Sequence, residues 1–181
     1  MSESTSSLDE TTEPAESDED SGDTVKKLHG VAVTDSRGQT VLHPSTDSYH
    51  DLIQRLVEEG YGVCVDLCGA DHLGNKTRVL PPTIEAERFE LVVNLLDVHT
   101  PRRLRVRVQI SESNPVVATI TDIHPGAEAM ERETNDMFGV WFEGHPDPTP
   151  ILLPDGWEGH PLRKDFAMGR IPVQFKAVEG R

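Results

Sequence analysis

The sequence predicts an α+β fold, a mixed or antiparallel sheet with helices on one face, followed by an extended Gly/Pro-rich C-terminal segment. Three observations predict it. Apolar residues recur at helical spacing over 46–59 and again over 127–138, period-two alternation marks 89–96 and 104–110, and beyond Gly139 the glycines and prolines come every few residues. A segment of that last kind neither stays helical nor forms a central strand. At 181 residues the chain is one domain's worth with tails. It divides into an acidic tail (1–24), an α+β domain (25–139) and an extended C-terminal segment (140–181).

Charge is unevenly spread. Nine acids and no Lys or Arg lie between Met1 and Asp23, and the other 23 acids against all 17 basic residues leave the remainder at −6. A tail of Ser, Thr, Glu and Asp with a single leucine cannot bury enough apolar surface to offset its ordering entropy, so it is read as disordered and solubilising, or as a lure for a basic partner. It has no basic n-region and no apolar core, so it is not a signal peptide. No apolar run approaches the roughly 20 residues a bilayer crossing needs.

Along the chain, Val31-Ala32-Val33 and Thr40-Val41-Leu42 flank the turn-like Asp35-Ser36-Arg37-Gly38 and read as a hairpin. Tyr49, Leu52, Ile53, Leu56 and Val57 make the apolar stripe of a helix that Ser45 or Thr46 caps and Gly60 ends. Gly62 to Cys68 reads as a strand. Cys64 and Cys68 then share a face but stand roughly 13 Å apart along it, beyond the reach of a disulfide, and are expected to be reduced, buried thiols. Two cysteines also fall short of the four that an iron–sulfur cluster usually takes.

A loop from Gly69 to Glu87 follows. Phe89 to Leu96 has two largely apolar faces, as in a central strand. After the turn at His99-Thr100-Pro101, Leu104, Val106, Val108 and Ile110 face one way and Arg103, Arg105, Arg107 and Gln109 the other. That arginine stripe is expected to be solvated or to meet an acidic neighbour. The net −6 of the body and the lack of a wider basic, aromatic-laced patch argue against nucleic acid. Val116 to Ile120 is a further strand, Pro125 opens a second helix and Gly139 stops it.

On that second helix Ala127, Met130, Thr134, Met137 and Phe138 form the less polar stripe, with Glu128, Glu131, Arg132, Glu133 and Asp136 on the polar one. Glu128 with Arg132, and Arg132 with Asp136, stand at the spacing of an ion pair, and Arg163 and Lys164 are candidate partners for the surplus acids. The carboxylates lack the spacing of a catalytic pair. No nucleophile with a matching base, phosphate loop or dinucleotide fingerprint is present. His145 and His160, each in Gly-His-Pro with Glu143 and Glu158 nearby, invite a metal reading, but the spacing matches no familiar site, and a ring donating to a backbone carbonyl is the expectation.

Two motifs carry a resemblance. The first is Glu131-Arg132-Glu133, Asp136-Met137-Phe138-Gly139-Val140, Phe142 and Gly144-His145-Pro146; the second is Trp157-Glu158-Gly159, then Pro161-Leu162-Arg163-Lys164-Asp165-Phe166. Together they resemble the 30-kDa subunit family of respiratory complex I, the C-type subunit of NADH-quinone oxidoreductase. More weakly the resemblance runs back to about Thr46; it leaves out the first two dozen residues.

The resemblance implies a structural subunit of the peripheral arm of a proton-translocating NADH:quinone oxidoreductase, with no catalytic residue, cofactor or metal of its own. NADH, FMN, iron–sulfur clusters and quinone would belong to the assembled complex. Its partners would be the quinone-site subunit (D type), the terminal iron–sulfur subunit (B type) and the I-type subunit. It would sit at the cytoplasmic side of the cell membrane, reaching the membrane only through the complex. Carried over, Glu131, Arg132, Glu133, Asp136, Phe138, Gly139, Gly144, His145, Pro146, Trp157, Gly159, Pro161, Arg163, Lys164 and Asp165 are packing and docking positions.

The sequence departs from the family pattern at Thr149-Pro150, where arginines are usual, and at His124, Ala129 and Asn135, where aromatics are common. The rival readings are a homologous subunit of a membrane-bound hydrogenase or other-donor dehydrogenase, and a free-standing binding module.

Overall fold

The computed structural model describes residues 25–75 and 77–167, so the acidic tail and the last residues of the C-terminal segment lie outside the described residues. Strands β1 (Lys27–Leu28), β2 (Val31–Ser36), β3 (Gln39–His43), β4 (Val63–Asp71), β5 (Phe89–Asp97) and β6 (Arg102–Ile110) form one mixed sheet in the order β1-β2-β3-β6-β5-β4. All its pairs are antiparallel except β3 with β6, which α1 (Thr46–Glu58), β4 and β5 separate in sequence.

The predicted hairpin and first helix are present. Ser45 caps α1 by a reciprocal box with Ser48, whose N–H donates to Ser45 Oγ while Ser48 Oγ accepts from Ser45 N. Tyr49, Leu52, Ile53 and Leu56 are buried with Leu42, Leu67, Leu91, Val93, Leu95 and the apolar face of β6 in a single core. The sheet buries this face because its side chains alternate, so one strand supplies a core row and an outer row.

The outer face is only half covered. Segment 72–88 crosses it at the Glu90 end, where Arg78 donates to Glu90 Oε2 and to the Glu87 carbonyl, and Glu87 N–H donates to Gln109 Oε1. The arginine stripe therefore does not behave as one unit. Arg107 pairs with buried Glu90 through Nε and Nη2, Arg105 donates to Asn94, and Arg103 is exposed. Burial pushes the Glu90 carboxyl up, but the bonds from Arg107 and Gln109 outweigh it and hold it below its ordinary range.

Two expectations about β4 are corrected. The strand runs to Asp71, past the expected start of the loop, and it carries a bulge between Cys64 and Asp66. The extra residue reverses the alternation: Cys64 lies opposite Leu95 on the core side, and Cys68 lies opposite Val92 on the outer face, where it is exposed. The two free thiols thus occupy opposite faces, Cys64 half-buried and Cys68 exposed, so neither is the fully buried thiol expected.

A short parallel pair, β7 (Val116–Ala118) with β8 (Trp141–Glu143), forms a second sheet that packs on α1 and adds Val117 and Phe142 to the core. Among the described residues, β8 is the one strand the Gly/Pro-rich segment forms, and it is short enough to end before Gly144. A 3-10 turn, Pro125–Ala127, precedes α2 (Glu128–Phe138), so Pro125 opens the turn and not the α-helix itself. Helix α2 packs on β4 at Gly69, where an added Cβ would stand 2.6 Å from the Phe138 ring.

Candidate functional site

Residues 140–167 form a strap that starts at the end of α2 and returns to it. The start is set by Gly139, whose φ of 71° is the left-handed conformation that ends a helix cheaply only in glycine. A helix end leaves its last carbonyls without partners. Here the strap supplies them: His160 Nδ1 bonds to the Asp136 carbonyl (2.9 Å), Leu162 N–H to Met137 (3.1 Å) and Arg163 Nε to Phe138 (2.7 Å).

The acids of α2 are not a solvated face. Glu131 is fully buried and accepts from Ile120 N–H (2.8 Å) and Thr119 Oγ1 (2.5 Å). Burial pushes its carboxyl up, against those two bonds. Asp136 is also buried, and its Oδ2 accepts from three consecutive strap N–H groups, Ile151 (2.9 Å), Leu152 (2.7 Å) and Leu153 (3.3 Å). Sequence spacing put both on the polar stripe because it could not see that backbone N–H groups and the Thr119 hydroxyl, not cations, would satisfy them.

The expected Arg132–Asp136 pair is accordingly not formed. Arg132 reaches instead to the strap, donating to the Thr149 carbonyl (2.8 Å) and Thr149 Oγ1 (2.9 Å), with Glu128 at 3.8 Å and Asp147 at 3.5 Å. So Thr149 is held by the helix. Glu133 is exposed. Arg163 and Lys164 are likewise not partners for the helix acids: Arg163 caps the helix, and Lys164 gives its backbone N–H to Asp71 Oδ2 (2.8 Å).

His145 accepts from Asp147 N–H at Nδ1, which places the ring hydrogen on Nε2, facing the Glu128 carbonyl at 3.1 Å. Both Gly-His-Pro rings therefore bond to carbonyls of α2. Among the described residues no group of three or more His, Cys, Asp or Glu could hold a metal.

The far end of the strap is clasped. Trp157 and Phe166 stack with centroids 6.4 Å apart, and Gly159 bends with φ 91° beside the Phe166 ring. Arg88 joins Asp71 (2.9 Å), Glu112 (2.5 Å) and Asp165 (2.6 Å), while the guanidinium carbons of Arg88 and Arg163 each lie 4.9 Å from the Phe89 ring centroid. Burial pushes Asp71 up, but Arg88 and the Lys164 and Leu73 N–H groups outweigh it and hold the carboxyl at about 2. Asp71 and Arg88 are not marked by the sequence, where they fall in an expected loop and at its end with no pattern to single them out, while Phe89 and Thr119 lie in stretches that share the weaker family resemblance but show no sign of these contacts.

Fixed in this way, the strap turns apolar side chains outward. Trp141, Ile151, Leu152 and Leu162 are 42–57% exposed, with Pro146 exposed beside Gly144 and Pro161 part-buried beside Leu162. Among the described residues no helix is long and apolar enough to cross a membrane.

The profile of a family described as "Respiratory-chain NADH dehydrogenase, 30 Kd subunit" matches residues 42–171. The chain is 36% identical over 146 residues to the C-type subunit of the NADH-quinone oxidoreductase of Salinispora tropica, covering 79% of this chain and 56% of that one. It is 39% identical over 148 residues to the protein of the same name from Roseiflexus castenholzii, covering 80% and 79%. The first of these relatives is much longer than the matched region, and the chain spans little more than half of it. Among solved structures, "Nqo5 of the trypsin-resistant fragment (1-134) in P63 form" superposes with a TM-score of 0.57 at 29% identity, covering 65% of this chain and 89% of that one.

Proposed function

Because the chain belongs to the respiratory-chain NADH dehydrogenase 30 kDa subunit family, we propose that it is a subunit of a proton-translocating NADH:quinone oxidoreductase and that its part there is structural. It holds the peripheral arm together beside the quinone-site and terminal iron–sulfur subunits, with an I-type subunit also adjacent. NADH, FMN, the clusters and quinone are carried by the other subunits. Contact with the membrane is made only through the complex, on its cytoplasmic side.

The observation that supports this reading best is the strap. A Gly/Pro-rich segment would ordinarily be mobile, yet here the buried Asp136 carboxylate holds three of its N–H groups while Trp141, Ile151, Leu152 and Leu162 point outward. Exposed apolar side chains on a fixed backbone are what a docking surface requires, because little conformational entropy remains to be lost on binding. In this reading Glu131, Arg132, Asp136, His145, His160 and Arg163 shape the surface from behind, and Trp141, Ile151, Leu152 and Leu162 touch the partner.

The test is purification from native membranes in mild detergent through a C-terminal tag, with iron content and NADH:quinone activity assayed on the product. Iron-rich partners that oxidise NADH with quinone support the proposal. Iron-rich partners without NADH oxidation would assign the chain to a complex with another electron donor, and an iron-free monomer would remove the structural role altogether.

A further inference from the structure

The half of the outer sheet face that segment 72–88 leaves open contains a groove of about 270 Å³, lined by Gln39, Val65, Asp66, Asn94, Arg103 and Arg105 together with Leu95. Its cations are unlike the other arginines of the sheet. Arg107 is spent on Glu90 and Arg102 on Asp97, whereas Arg105 uses only Nε, on Asn94. Among the described residues Arg103 has no hydrogen bond or ion-pair partner, and neither do the Nη groups of Arg105. Asp66 supplies a single opposing charge at the β4 side.

We propose that the acidic N-terminal segment, residues 1–24, is the occupant of this groove, with Asp18, Glu19 and Asp20 against Arg103 and Arg105. Charge complementarity is the first ground: the segment up to Asp23 has nine carboxylates and no Lys or Arg. Reach is the second. The chain enters the sheet at β1, and β1 is three strands from β6, or about 14 Å across. Along the strands, Lys27 stands level with Ala32, and Gln39, at the groove, with Ser36, a further offset of about 13 Å. The diagonal is about 19 Å, and the seven residues from Lys27 back to Asp20 span up to about 23 Å when extended. The densest run of acids therefore arrives at the two free guanidinium groups.

Cys68, exposed on the same face of β4, is the natural reporter. The full chain with Cys64→Ala takes a nitroxide at Cys68, and the amide signals of the first 24 residues are followed. At about 10 mM salt, where charges act over about 30 Å, the amides of Asp18 to Asp20 should lose about twofold or more in height. They should recover at about 1 M salt, where that length is about 3 Å. Arg103→Glu/Arg105→Glu should abolish the low-salt loss, as should Asp18→Asn/Glu19→Gln/Asp20→Asn, which leaves the folded domain untouched.

Sharp tail signals at low salt would overturn the proposal. So would a loss that survives both variants. A loss that arises only between separate nitroxide-bearing and isotope-labelled chains would overturn it too, by assigning the groove to a second copy.

Discussion

Arg88 and Asp165 stand 77 residues apart in sequence and meet at 2.6 Å, closing the far end of the strap onto the sheet. The same guanidinium holds Asp71, whose side chain is withdrawn from solvent. One arginine thus joins β4, β5 and the strap, and its removal would leave a buried carboxylate without its cation. Arg88→Ala is expected to cost about 3–5 kcal/mol in urea unfolding of the full chain, and to open the strap to proteases. Because Asp71 is held at about 2, below its ordinary 3.8, its contribution is complete above the ordinary value and is lost as the pH falls toward 2. That acid loss should be smaller in Arg88→Ala.

Asp136→Ala removes the acceptor of three strap N–H groups, and Arg132→Ala removes the donors to Thr149. Each is expected to lower the yield of assembled complex several-fold while leaving quinone-linked turnover per iron in the assembled fraction unchanged. Normal yield with reduced turnover would contradict the docking role.

His43, buried between Thr34 and Arg107, has its ring pushed down by burial and by that arginine to about 4, from an ordinary 6.5. The unfolded chain takes up the proton first, so stability present at neutral pH is lost as the pH falls from about 6.5 through 4, by up to about 3 kcal/mol. In His43→Gln that slope should flatten, as measured by chemical unfolding across the range.

Gly139→Ala should be costlier than Gly156→Ala. Both glycines have positive φ, 71° and 76°, and a side chain there costs about 1–2 kcal/mol. At Gly156 an added Cβ meets nothing within 4 Å, whereas at Gly139 it would strike His160 Nε2 and Arg163 Nη2, both anchored on the helix end. The difference in unfolding free energy between the two variants is expected to be about 1 kcal/mol or more.

The hairpin, α1, β5 and β6 were legible in the sequence because burial writes a period of 3.6 or 2 directly into it. The family motifs were legible as a pattern, but their physics was not. Glu131 and Asp136 occupy polar spacing and are buried, since the groups that satisfy them are the backbone N–H groups of Ile120 and of residues 151–153 and the Thr119 hydroxyl, which no spacing on the helix reveals. The bulge between Cys64 and Asp66 escaped for a similar cause: one inserted residue leaves composition unchanged and reverses every face beyond it. The clasp at Arg88 depends on contacts across 77 residues, where local rules have no reach.

The strap leaves α2 at Gly139 and comes back to the helix's last turn at His160 to Arg163, so helix and strap make a closed circuit. Neither half can let go by itself: fraying the last turn removes the acceptors of the strap, and lifting the strap bares three carbonyls and the Asp136 carboxylate. The two should therefore open together, and slow amide hydrogen exchange should give residues 131–138 and 151–153 one common opening free energy instead of a stable helix beside a loose tail.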